Sequence, residues 1–427
     1  MRRATLLVFF SLALVLVVGC SVNPVTGKSQ LDLIGEAGEI RMGTNFYPGA
    51  IQGSLGPVDE KGVQSAVERV GMAVAGVSHR PGLPYQFTAV NDPEVNAFAL
   101  PGGKICITRG LLSRLESEDG LAAVLGHEVG HVTARHAVSA YNRQIVATAI
   151  LVGGAVYMEA EDVKNRGLIT LGAVIGTQVV LASYSREQER QSDELGLEYA
   201  VKAGYSPRGM IETQKVLLDL QKRQPGAVEK LFASHPMSAE RLATAEKRVA
   251  LLPADVQARP LRSEPYRAEM AEVIAERPAW DLALEGQALL GQEKAREGEA
   301  KLAEAVRLAP KAGVIRTLHA LSLGSLKQKG PAVDEARQGA RLAGNVYVSR
   351  LVAGELLVEP DPTAALDNLE NAEKLLPGEA LVSLLRGEAL EKLGRRQDAK
   401  AAYNEAKSRD PDGKVGAEAA RRAGNLG

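Results

Sequence analysis

Apolar side chains at Val63, Ala66, Val67, Val70 and Ala73 recur every three or four residues, a spacing that predicts a helix opening near Val63. The period then shortens. A strand is expected near Tyr85 to Val90, and the run Asn96 to Gly103, closed by the turn signal Pro101-Gly102-Gly103, leads into the β-prone Lys104 to Thr108, which together predict a hairpin. Cys106 alternates with Ile105 and Ile107 and is expected as a small buried residue. Helical periodicity returns from Glu118 to about Arg143. Two apolar stretches, Ile145 to Tyr157 and Leu168 to Ala182, flank a charged one around Glu159 to Arg166. Both are shorter than the ~20 residues of a membrane span and contain glycine, so buried or surface-embedded helices are expected, with interfacial membrane contact left open.

Pro253 to Pro278 is richer in Pro, Arg and Glu than its surroundings and reads as a boundary, beyond which the texture becomes Ala-, Leu-, Glu- and Lys-rich. A shift of 101 residues superposes Gly286, Leu289, Leu302, Ala305 and Pro310 on Gly387, Leu390, Tyr403, Ala406 and Pro411. Pro377 and Pro411 are 34 apart and Pro310 and Pro377 are 67 apart, close to the period of tetratricopeptide repeats, and about four copies fit. An irregular helical bundle is the alternative. The expected division is a leader over 1–19, a linking segment over 20–60, a first folded domain over 61–252, a linker over 253–278, repeats over 279–413 and a tail over 414–427.

The leader is Arg2-Arg3 followed by an apolar run from Ala4 to Val18, the pattern of an export signal. Val17-Val18-Gly19-Cys20 resembles a bacterial lipobox, which implies cleavage before Cys20 and lipid on its thiol. Cys106 is then the one remaining cysteine, so no intrachain disulfide is available. With 51 basic against 52 acidic side chains and a net charge of -1, there is no block of charge suited to nucleic acid.

His127-Glu128-Val129-Gly130-His131 is an H-E-x-x-H motif inside a helical pattern. Four residues of helix return about 40° past a full turn, so both imidazoles face one Zn²⁺, while Glu128, about 100° from His127, lies beside the metal as a general base. A third ligand is needed, and Glu189 is the candidate: Asp193, four residues on, shares its helix face and is suited to hold a ligand histidine from behind. His136, five residues beyond His131 and about 140° around a continuous helix, is expected to point away from the metal.

These motifs resemble the zinc metallopeptidase family that includes the CAAX prenyl proteases, HtpX and BepA. The resemblance rests on Asn23-Pro24-Val25-Thr26-Gly27, Asn96 to Gly103, the zinc motif, Ser185 to Asp193, Ser234-His235-Pro236 and the repeats. It implies a mostly helical α+β chain, a zincin-type (gluzincin) peptidase domain followed by an all-α tetratricopeptide-repeat solenoid. It implies one Zn²⁺ per chain on His127, His131 and Glu189, with His235 as a fourth ligand in a resting state, although a histidine before proline is by default a turn residue. It implies that Asn96, Ala97, Phe98 and Ala99 form an edge strand for extended substrate; an ordinary core hairpin fits the same residues. The function it implies is a periplasmic endopeptidase anchored to the outer membrane through Cys20. Its substrates would be unfolded or misassembled envelope proteins, and its repeats would meet the outer-membrane assembly machinery. The alternative is a repeat-based chaperone with a mostly latent zinc site.

Overall fold

The computed structural model describes residues 20–143, 184–223, 225–236 and 239–426. The leader and the two apolar stretches between Ile145 and Ala182 lie outside the described residues.

The first domain is built around one fully interior helix. Three strands form a sheet of order β3-β5-β4: β3 (Gln86–Val90) runs parallel to β5 (Lys104–Thr108), and β4 (Ala97–Leu100) is antiparallel to β5 across the expected hairpin. Cys106 is buried in β5. Helix α1 (Gly35–Gly53) crosses the Pro101–Gly103 turn so closely that a Cβ on Gly43 would lie 1.8 Å from the Pro101 carbonyl oxygen. Helix α2 (Lys61–Gly76) presents Val63, Ala66, Val67, Val70 and Val74 to the core, as its spacing requires. A short α3 (Arg109–Leu112) leads to α4 (Glu118–Thr133), every residue of which is buried. Ser117 caps α4 by accepting from the Gly120 amide.

α5 (Arg186–Lys202) opens on a capping box, Ser185 with Gln188, and lies along α4. The two helices meet at glycines: a Cβ on Gly196 would lie 2.7 Å from the His127 amide nitrogen, and one on Gly126 would lie 2.9 Å from the Gly196 carbonyl oxygen. Only a side-chain-free crossing permits that approach. α6 (Arg208–Arg223), α7 (Glu229–Ser234) and α8 (Ala239–Ala250) complete the domain.

Several expectations change. The segment over 20–60 is folded rather than linking: β1 (Cys20–Val22) pairs with β2 (Ser29–Leu31), and α1 buries Glu39 beneath Arg80 and Arg135. The helix expected to reach Arg143 stops at Thr133, because Arg135 adopts a left-handed backbone (φ 58°) and a new helical segment starts at 136. That conformation costs about 1–2 kcal/mol for a residue with a Cβ. It is held by Arg135 donating to Asp32 Oδ2 (2.6 Å), Glu39 Oε2 (3.1 Å) and Ser21 Oγ (3.0 Å). Burial pushes the Asp32 carboxyl up, but the Arg135 hydrogen bonds bring it below the usual carboxylate range.

The expected linker over 253–278 is largely helical: α9 (Ala254–Gln257), α10 (Ser263–Glu269) and the first turns of α11 (Ala271–Gly291). Tyr266, Met270 and Val273 sink into the first domain's core, with the Tyr266 hydroxyl donating to the Leu112 carbonyl (2.7 Å). At the junction Arg109 lies over the Trp280 ring and pairs with Glu60 and Glu276.

The repeats are helix pairs. α11 packs with α12 (Ala295–Leu308), α13 (Gly313–Ser325) with α14 (Lys329–Leu342), α15 (Tyr347–Leu357) with α16 (Pro362–Leu375), and α17 (Ala380–Lys392) with α18 (Arg396–Arg409). The second helices of successive pairs start 34, 33 and 34 residues apart, at Ala295, Lys329, Pro362 and Arg396. Gly286 and Gly387 admit Leu302 and Tyr403 into the pair interfaces, where a Cβ would sit 2.7 Å and 2.4 Å from their side chains. The expected tail is instead a helix, α19 (Lys414–Asn425), whose Ala419 and Ala423 close the last repeat's core.

Candidate metal centre

α4 and α5 bring His127, His131 and Glu189 together, and the loop after α7 adds His235. One ligating atom from each of the four lies within 4.8 Å of the others, and all four residues are buried. His127 Nε2 is 3.0 Å from His131 Nε2 and 3.5 Å from Glu189 Oε2, and His131 Nε2 is 3.3 Å from Glu189 Oε1. His235 Nδ1 is 3.4 Å from His127 Nε2 and 3.0 Å from Glu189 Oε1. Donors about 2.1 Å from a tetrahedral Zn²⁺ stand about 3.4 Å from one another, so these separations suit that ion.

Two further observations fit a cation. Glu189 Oε2 is met by Arg241 Nη1 in an ion pair at 2.8 Å, while Glu128 Oε2 is buried without a hydrogen-bond partner. Buried polar atoms are seldom left in that state. Burial drives the His127 imidazolium down, yet Glu189 and Asp193 raise it to about 10, so that in a cation-free centre a proton on His127 answers the Glu189 charge. His127, His131 and His235 hold Glu189 far below the usual carboxylate range in spite of burial. A divalent ion held by these residues would supply that positive charge in place of the proton.

Asp193 stands behind His127, its Oδ1 3.1 Å from Nδ1, leaving Nε2 to face the centre. It is gripped at 2.7 Å by both Nε and Nη2 of Arg241. Burial raises the Asp193 carboxyl, and the His127 and Arg241 contacts overcome it, so the group is held ionised. Glu128 is 2% exposed, with Oε1 3.9 Å from His235 Nε2; burial raises its pKa and the neighbouring His235 and His127 partly oppose the shift.

Residues 57–249 match the model of peptidase family M48. The segment is an M48 metallopeptidase domain. Beta-barrel assembly-enhancing protease of Escherichia coli (strain K12) is 27% identical over 228 residues, 53% of this chain and 46% of the relative. Mitochondrial metalloendopeptidase OMA1 of Arabidopsis thaliana is 32% identical over 184 residues, 43% of this chain and 36% of the relative, and that of Schizosaccharomyces pombe is 30% identical over 183 residues, 42% and 51%. The chain thus matches about half or less of each relative's length. Among solved structures, the tetratricopeptide-repeat protein YrrB is similar over 49% of this chain at 15% identity and a TM-score of 0.32. The repeat architecture stands on the helix pairs themselves.

Within the M48 domain, three residues that the motif reading left out of the centre frame it. Arg241 couples Asp193 and Glu189 to the His235 loop, donating also to the Pro236 carbonyl (3.2 Å). Tyr184 stacks on His131 at 3.8 Å, and its amide donates to the Ser234 carbonyl (3.0 Å). His136, expected to point away, lies with Nδ1 2.9 Å from His131 Nδ1, because the chain turns at Arg135 instead of continuing as helix. Spacing along an unbroken helix carries no sign of that reversal.

Of the residues expected to line substrate, Ala97 borders a mainly apolar pocket beside His127, Glu128 and His235, walled by Leu111, Val124, Met210 and Leu217. β4 is an edge of the three-stranded sheet among the described residues. Cys20 is exposed at the start of β1. No described helix is long and apolar enough to cross a membrane.

Proposed function

We propose that the chain is a zinc-dependent endopeptidase of the bacterial envelope, acting on unfolded or misassembled proteins during outer-membrane protein assembly and held to the outer membrane by lipid on Cys20. One observation carries the reading: His127, His131 and Glu189 converge at zinc-ligand separations, with Glu128 beside them. When bound, Zn²⁺ polarises the scissile carbonyl and acidifies water. Glu128 takes a proton from the attacking water and delivers it to the leaving amine, a task that its burial-raised pKa suits. Asp193 keeps His127 in the tautomer whose Nε2 lone pair faces the ion. The open side of β4 offers main-chain partners to an extended segment at Ala97 to Ala99, which favours unfolded chains, while the main chain of Asn96 is engaged with Thr108. The four helix pairs supply a docking surface for substrate or for the assembly machinery. Relatives named beta-barrel assembly-enhancing protease support this cellular setting.

His235 favours a latent form. Its Nδ1 lies 3.4 Å from His127 Nε2 and 3.0 Å from Glu189 Oε1, where it would be a fourth ligand to the ion and would fill the position that catalysis needs open until the loop moves. His235→Ala is expected to raise casein cleavage by the purified full chain by about tenfold or more, the reciprocal of an open fraction near one tenth. Unchanged or lower cleavage contradicts the gate. A chain that holds zinc yet cleaves nothing even with His235 removed would act instead as the repeat-based chaperone, with its metal structural.

A further inference from the structure

We infer that His136 is a positioning residue for the metal, orienting His131 through a directional chain of hydrogen bonds whose geometry is set by the N-terminal hairpin. The inference rests on the zinc reading above. His136 is 4% exposed and opens the helical segment that follows the H-E-x-x-H helix. Its Nε2 is 2.9 Å from Gln191 Oε1, which is an acceptor, so Nε2 carries the hydrogen. With that hydrogen on Nε2, the imidazole presents Nδ1 as a lone pair. That lone pair faces His131 Nδ1 at 2.9 Å, nearer than the Ser192 hydroxyl at 3.5 Å. His131 Nδ1 therefore donates, and its Nε2 lone pair points at His127 Nε2 and Glu189, where the metal would sit. Asp193 does for His127 what His136 does for His131, with a neutral acceptor in place of a carboxylate.

The support for His136 comes from far away in sequence. It reaches His131 because the backbone reverses at Arg135, and Arg135 is tied down by Asp32, Glu39 and Ser21. Asn23 donates to the Ala134 carbonyl (3.1 Å), and Asn142 donates to the Leu31 carbonyl (2.9 Å). Residues 21–39 thus clamp both sides of the turn that presents His136. The segment next to Cys20 is in this way part of the metal centre's scaffold.

The test compares zinc affinity, by competition with a chromophoric chelator, for the purified full chain and for His136→Ala, His136→Asn and His136→Phe, with thermal midpoints of the metal-free forms alongside. The asparagine keeps an acceptor near the Nδ1 position; phenylalanine keeps ring volume without one. Alanine and phenylalanine are expected to weaken zinc binding about 10–100-fold, while asparagine stays within about threefold of the parent. If the alanine variant does not fold, the asparagine–phenylalanine difference decides. Equal losses in those two, or parent affinity in all variants, would overturn the relay. A parent chain that binds no zinc would overturn the metal reading itself, and the relay with it.

Discussion

Glu128→Gln is expected to lower the cleavage rate of the full chain by about 10²–10⁴-fold while its zinc content stays at the parent level. The amide is isosteric with the carboxylate but cannot take a proton from water. Glu128 contributes no atom to the cluster formed by His127, His131, Glu189 and His235, so its replacement leaves the ligand set intact. Its Oε2 is buried without a hydrogen-bond partner and its pKa is raised by burial, the combination of a poised base rather than of a structural carboxylate satisfied by neighbours. Cleavage of casein followed in parallel with metal analysis checks both halves. A variant that retains the parent rate would remove Glu128 from the reaction; one that loses zinc as well would make it part of the metal's support.

Glu39→Ala is expected to destabilise the fold by about 3–5 kcal/mol, the usual cost of leaving buried charges without their partner. Glu39 is 1% exposed and accepts from Arg80 at both carboxylate oxygens (3.0 Å each) and from Arg135 Nε (3.1 Å). Burial lowers the Arg80 guanidinium pKa, and Glu39 more than restores it, so the pair stays charged. Removing the carboxylate strands two interior guanidiniums, which Glu36 and Asp32 answer only from their outer sides. Urea unfolding of the metal-free chain measures the effect. A change under about 1 kcal/mol would show that solvent or Asp32 takes over the role of Glu39.

The parts of this molecule governed by local period were legible in the sequence. The α2 spacing, the Pro101-Gly102-Gly103 turn and the repeat interval near 34 residues all reflect short-range geometry, and the helix pairs follow them. So does the placement of His127 and His131 one turn apart, and of Glu189 and Asp193 on one face of α5. What stayed hidden depends on contacts between distant segments. Nothing near Arg135 announces a left-handed residue, since its partners Asp32 and Glu39 lie about a hundred positions away. His136 was misplaced for that reason alone. Nothing in the local sequence marks Arg241, which the fold brings against Asp193 beside the His235 loop. The segment before Lys61 read as a linker because it is Gly- and Pro-containing with only short apolar pieces, although Asn23 and Asp32 are anchors. Likewise Tyr266 and Met270 lay in a stretch rich in proline and charge, where composition outvoted two large apolar side chains that proved to be buried.

The most direct test of the account is a count of zinc on the purified full chain by mass spectrometry, for the parent and for a variant carrying His127→Ala and His131→Ala together. The account predicts about one zinc per parent chain and none retained by the variant after dialysis. A parent chain without stoichiometric zinc, or a variant that keeps it, would contradict the assignment of the α4–α5 cluster as the metal centre.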